Sequence, residues 1–170
     1  PINAYTLATD PDLAPTESTN DLGVFEYAQN ILSNSTDINT DILFLQFDEL
    51  DGTGHTYGFS TDVEEYTNYA NILDGYSEEL FNIIKNRRVK GEDWMYFIVS
   101  DHGGEGTAHG DSCDPNINQT IFLAQHPELI FKANCCYTSS QADLAPTILS
   151  FLGISSSEFE ANTDGLSVLE

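Results

Sequence analysis

Trp94-Met95-Tyr96-Phe97-Ile98-Val99 is an apolar run rich in β-formers, and it opens directly onto Ser100-Asp101-His102-Gly103-Gly104-Glu105-Gly106-Thr107-Ala108-His109-Gly110-Asp111. The apolar run reads as a buried strand. Two aspartates and two histidines then sit on a glycine-rich loop at the strand's carboxyl end, where open α/β sheets place their chemistry. Glycine at 103, 104, 106 and 110 allows sharp turns and close approach of backbone to a bound group. Asp and His supply the oxygen and nitrogen donors that suit zinc or a similar divalent ion. The plainer reading is a polar surface loop whose Asp caps a helix.

A second cluster has the same form. The apolar run Ile42-Leu43-Phe44-Leu45-Gln46 leads into Phe47-Asp48-Glu49-Leu50-Asp51-Gly52-Thr53-Gly54-His55-Thr56-Tyr57-Gly58. This again reads as a strand ending in a Gly-punctuated loop that carries Asp and His. Three of the four histidines thus fall in two strand-end loops, whereas chance would scatter them. Strands feeding one edge of a parallel sheet would bring those loops together, and the strand–helix–strand alternation predicts an α/β fold with a largely parallel sheet flanked by helices.

At 170 residues one domain is expected, and 40% apolar with 11% aromatic content is enough for a real core. Five Lys and Arg against 28 Asp and Glu give a formal charge of −23. Such a chain repels nucleic acid and anionic membranes and favours cations. Four of its five basic residues, Lys85, Arg87, Arg88 and Lys90, cluster at the end of one predicted helix and read as dipole-matching charges there. No apolar run approaches the roughly 18 residues of a membrane span. Cys113, Cys135 and Cys136 form no C-x-x-C pair, and one disulfide from Cys113 to Cys135 or Cys136 is expected. Asn34 and Asn118 head glycosylation sequons, which point with the cysteines toward the extracellular space or the secretory pathway.

Along the chain, residues 1–20 read as an extended approach segment, polar and punctuated by Pro1, Pro11 and Pro15. Residues 21–170 read as one domain portion. A helix is predicted from Asp21 to Ser33 with Val24, Tyr27, Ala28 and Ile31 on one face, and a longer one over 62–88. A further strand is expected over Thr120–Ala124. His126 is taken as structural or solvent-facing. Ser140-x-x-Asp143 is a capping-box pattern opening a last helix closed by Gly153.

Taken together, Asp51-x-x-Gly54-His55-x-x-Gly58, Ser100-Asp101-His102-Gly103, His109-Gly110, Asp143-Leu144-Ala145-Pro146-Thr147-Ile148-Leu149-x-x-Leu152-Gly153 and Asp164-Gly165-Leu166-Ser167-Val168 resemble the alkaline phosphatase superfamily, in its type I phosphodiesterase/nucleotide pyrophosphatase branch. The resemblance implies a hydrolase of phosphoric esters with two divalent ions, generally zinc, with manganese or others in some branches. Asp51, His55 and His109 would hold one ion, and Asp101 and His102 would help hold the other. Two ions ~3.5–4 Å apart suit the attacking and leaving oxygens of an in-line displacement. Asp111 neighbours the His109 position, and Asp48 and Glu49 read as supporting or strand-end charges.

The family's catalytic domain begins with a strand-end Asp and a Thr or Ser nucleophile, which no stretch of residues 1–20 matches. Thr53, Thr56 and Thr107 occupy other motif positions. The expectation is therefore the C-terminal part of a catalytic domain, incomplete at its N-terminal side, with the nucleophile on an N-terminal half and a phosphate ester as substrate. The alternative is a secreted acidic structural or interaction module that keeps the phosphatase-like fold without catalysis.

Overall fold

The computed structural model describes residues 20–33, 41–111, 113–132 and 138–170, together with the backbone of 4–7. Asn34, Cys135 and Cys136 lie outside the described residues. The chain forms two compact units, Pro1–Glu92 with Gly104–Gly110, and Asp93–Gly103 with Asp111–Glu170.

In the first unit, β1 (Ala4–Leu7) runs parallel to β2 (Ile42–Leu45), with Ala4 opposite Ile42 and Leu7 opposite Leu45. The composition of residues 1–20 does not announce this strand; four residues are too short a run for a periodic signal. Helices α1 (Asp21–Ser33) and α2 (Glu49–Tyr57) both pack on the 26-residue α3 (Glu64–Val89). The face α1 buries is Asp21, Val24, Phe25, Ala28 and Leu32, rotated from the expected one so that Phe25 and Leu32 replace Tyr27 and Ile31. Phe25 stacks on Tyr76 of α3, with ring centroids 4.4 Å apart and planes inclined by 10°. The core continues through Leu80 and Ile84. Each such aliphatic side chain contributes about 1.5–3 kcal/mol on burial.

Arg87, in the last turn of α3, is buried and turned inward rather than solvated. Its Nη1 donates to the Leu32 carbonyl at 2.7 Å, near the end of α1, and its Nε and Nη2 both pair with Glu92 at 2.7 Å. A planar guanidinium is the group that can serve a helix-end carbonyl and a carboxylate together.

In the second unit, β3 (Tyr96–Val99) pairs antiparallel with β4 (Phe122–Gln125), Tyr96 opposite Gln125. This corrects the expected largely parallel sheet: the described strands form two separate two-stranded ladders, one parallel and one antiparallel. Between β3 and β4 the only helix among the described residues is the four-residue α4 (Pro115–Asn118), and a parallel return needs a full crossover. What survives of the expectation is a mixed helix and strand architecture. No helix among the described residues is long and apolar enough to cross a membrane.

Two stretches near the C-terminus fasten one another. Ser140 and Asp143 make the capping box, opening a 3₁₀ turn (Gln141–Asp143) that runs into α5 (Leu144–Phe151). Asp143 is buried; its Oδ2 accepts from Ser140 N at 2.8 Å and its Oδ1 from Leu166 N at 2.8 Å. The Thr147 hydroxyl accepts from Val168 N at 3.0 Å and donates to the Asp143 carbonyl at 2.6 Å. Gly165 lies so close to the Ala142 carbonyl that any Cβ there would overlap it. The Asp-Leu-Ala-Pro-Thr and Asp-Gly-Leu-Ser-Val stretches are thus two sides of a structural clasp. Asp143→Ala strands two backbone donors and is expected to lower the unfolding free energy by about 2–4 kcal/mol. Thr147→Ser, which keeps the hydroxyl, should cost no more than about 1 kcal/mol for the lost methyl. Urea denaturation midpoints of the two variants distinguish these outcomes.

Candidate metal centre

The stretch from Asp48 to Gly58 is a helix, not the loop its glycines suggest. Asp48 occupies the cap position of α2 without using its own side chain as a cap. The cap comes from Asp21 instead, whose Oδ1 accepts from Asp48 N at 2.9 Å and whose Oδ2 accepts from Glu49 N at 3.2 Å. Glu49 returns the bond, its Oε2 accepting from Asp21 N at 3.1 Å at the start of α1. The Tyr69 hydroxyl of α3 joins the pair, 2.6 Å from Glu49 Oε2 and 3.1 Å from Asp21 Oδ2. Burial holds the Asp21 carboxyl above the usual carboxylate range, although both backbone donors pull the other way. Burial, then its bond to Glu49, pushes the Tyr69 phenol well up, so it stays a donor.

Helical geometry puts residues i and i+4 on one face. Asp51 and His55 accordingly meet, Oδ2 to Nε2 at 3.4 Å. His109 comes to the same place from the Gly104–Gly110 segment. This segment turns at Gly106 (φ 58°) between Glu105 and Ala108, which bridge in antiparallel fashion. His109 Nε2 lies 3.0 Å from His55 Nε2 and 3.6 Å from Asp51 Oδ1, an oxygen buried beneath the rings. The three side chains remain 33–45% exposed, so the cluster is open on one side.

The tautomer of His55 follows from its partner. Nδ1 lies 2.9 Å from the Thr107 carbonyl, which can only accept. His55 therefore carries a proton on Nδ1, and in the neutral ring Nε2 presents its lone pair to His109 and Asp51. Two ring nitrogens at 3.0 Å are tenable with a proton between them or with a cation shared by both. One donor atom from each of Asp51, His55 and His109 lies within 4.8 Å of the others. Ligand atoms held 2.0–2.1 Å from a tetrahedral zinc stand roughly 3.3 Å apart, close to the separations here. Three nitrogen and oxygen donors with an open side also match the donor count of catalytic rather than closed structural sites.

The other predicted ligands stand on the second unit, at the end of β3. His102 Nδ1 lies 2.8 Å from the Gly103 carbonyl, which leaves Nε2 as the unprotonated nitrogen of the neutral ring, 3.7 Å from Asp101 Oδ2. Asp101 is 89% exposed at its side chain. The turn beneath them is fixed by main-chain bonds, Gly103 N to the Ile117 carbonyl at 2.8 Å and Ser100 N to the Ile121 carbonyl at 3.1 Å. Gln141 Nε2 donates to the Ser100 and Asp101 carbonyls.

Asp111 is a turn residue that accepts from Cys113 N at 2.9 Å. His126 is structural, as expected: Nδ1 accepts from the backbone N–H groups of Glu128 and Leu129, and Nε2 meets Asp93 at 2.7 Å. Asp21, Tyr69 and Phe59 carry weight at the site that sequence pattern alone does not show. Only the small residues Gly54 and Gly104 hint at a bulky neighbour.

The type I phosphodiesterase / nucleotide pyrophosphatase family profile matches residues 7–135, about three quarters of the chain. The chain belongs to this family of phosphodiesterase and pyrophosphatase hydrolases, a branch of the alkaline phosphatase superfamily. No curated protein matches it. The matched span begins well before the Ile42 strand and ends before Asp143, so the C-terminal clasp lies outside it.

The buried Asp21 carboxyl makes stability depend on pH with a definite sign. Its folded pKa is raised above the ordinary 3.8, so the folded state holds the proton more tightly than the unfolded chain. Its contribution is full below pH 3.8 and is lost as pH rises through the folded value. Urea melts in pH steps should show the parent losing stability relative to Asp21→Asn across that window. A constant difference would contradict the assignment.

Proposed function

We propose that the protein is a metal-dependent hydrolase of phosphoric esters, of phosphodiesterase or phosphatase type, working with two divalent ions, most simply zinc. The observation that carries the reading is the convergence of Asp51, His55 and His109 in a chain of this family. In this reading those three hold one ion. Asp101 and His102 help hold the second, together with groups from an N-terminal half of the same domain that also carries the nucleophile. An ion so held supplies Lewis acidity toward phosphoryl oxygens.

The chain's own residues do the rest. The Thr107 carbonyl keeps His55 in the tautomer that exposes Nε2, and Asp51 adds an oxygen donor and negative charge beside it. Thr53 and Thr56 are poor nucleophiles because their hydroxyls donate to the Glu49 and Gly52 carbonyls of their own helix, at 2.7 and 2.8 Å. With a formal charge of −23 on the chain, a phosphate ester needs a local cation to approach. We place the protein outside the cell or in the secretory pathway; the exposed Asn118 sequon supports that assignment.

Hydrolysis of a nitrophenyl phosphodiester with added zinc or manganese, and with chelator as control, tests the reading. Residues 1–170 alone should turn over negligibly, and a form joined to its N-terminal half should be active. In that form Asp51→Ala, His55→Ala or His109→Ala should weaken ion binding by at least roughly 100-fold and abolish turnover. A joined form that binds ions but stays silent on monoesters and diesters would favour the structural module instead.

A further inference from the structure

We propose that Phe59 is a positioning residue of the metal centre, a wedge that sets the convergence of His55 and His109. The inference rests on the metal reading above and concerns how the site is held. Phe59 follows the positive-φ Gly58 that ends α2, and its N–H donates to the Gly106 carbonyl at 2.7 Å. Its ring enters a slot between two glycines. A Cβ built on Gly54 or on Gly104 would overlap the ring atoms themselves. Gly54 lies on the helix that carries His55, and Gly104 on the segment that carries His109, so one ring spaces the two elements.

The ring also touches both ligands. It stands edge-on to His55 with centroids 5.3 Å apart and planes at 81°, and edge-on to His109 at 6.1 Å and 87°. Tyr66 of α3 closes on the ring from another side at 5.8 Å. Edge-to-face contacts are directional, so they fix ring planes as well as positions. A side chain in place of Gly54 or Gly104 would displace the wedge.

The test is Co(II) binding to the 170-residue chain, read as affinity by chelator competition and as the visible bands of the bound ion. Phe59→Ala should weaken binding by about 10–100-fold and shift the bands, because the nitrogens no longer converge in one geometry. Phe59→Leu keeps apolar bulk without the ring edges and should fall between the two, which decides the matter if Phe59→Ala does not fold. Gly54→Ala should cost as much as Phe59→Ala, while Gly54→Ala with Phe59→Ala together should cost no more than either alone. Binding within about twofold of the parent, with unchanged bands, in Phe59→Leu and Gly54→Ala would overturn the proposal while leaving the metal reading intact. A parent chain that binds no Co(II) would overturn both.

Discussion

The exchange of helix caps between Asp21 and Glu49 is the constraint on which the first unit depends. Each carboxylate satisfies backbone donors at the start of the other's helix, so α1 and α2 begin by holding one another. Two carboxylates in contact repel, and one of them is buried. The repulsion is offset by two helix N-termini, whose dipoles favour negative charge, and by the Tyr69 hydroxyl between them. Caps of this kind are worth about 1 kcal/mol each, up to about 2. That matters most for α2, nine residues long with glycine at 52 and 54, each costing a helix about 1 kcal/mol against alanine. Without the borrowed cap, the i and i+4 spacing that brings Asp51 to His55 would not be enforced.

Charge is distributed so that few cations do much of the work. Among five basic residues Arg87 is consumed inside the protein, tying Leu32 and Glu92 to the end of α3. Around the triad the field is negative: the Tyr66 phenol is raised first by burial and then by the charge of Asp51. A surface of that sign discourages anions generally, and selectivity then lies with whatever positive charge is placed locally.

The ligand residues were legible because their chemistry is in their side chains. Asp51, His55 and His109 are donor types bracketed by glycines, and no knowledge of tertiary packing is needed to suspect them. The long amphipathic α3 was legible for a similar reason, since its apolar face recurs over seven turns. What supports the site was not. Asp21 lies 28 residues before Glu49, and nothing local marks an aspartate at a helix start as the cap of a different helix. The Asp48–Gly58 stretch does not look helical because glycine's own propensity opposes a helix, whereas a remote cap and close packing against Phe59 decide the outcome. The sheet expectation is met only in part for a different reason: apolar runs show that strands exist but carry no sign of their direction.

The Gly104–Gly110 segment is gripped almost wholly through its main chain. His55 reads the Thr107 carbonyl, Phe59 reads the Gly106 carbonyl, and Phe59 packs on the bare Gly104. The side chains of Thr107 and Ala108 meanwhile are exposed. A hairpin held this way separates two jobs that usually share residues. Its backbone aims a histidine, and its outward side chains form a rim beside that histidine whose size and charge can drift or be redesigned without disturbing the aim. Diversity in what the protein tolerates next to its triad therefore has a natural seat at positions 107 and 108.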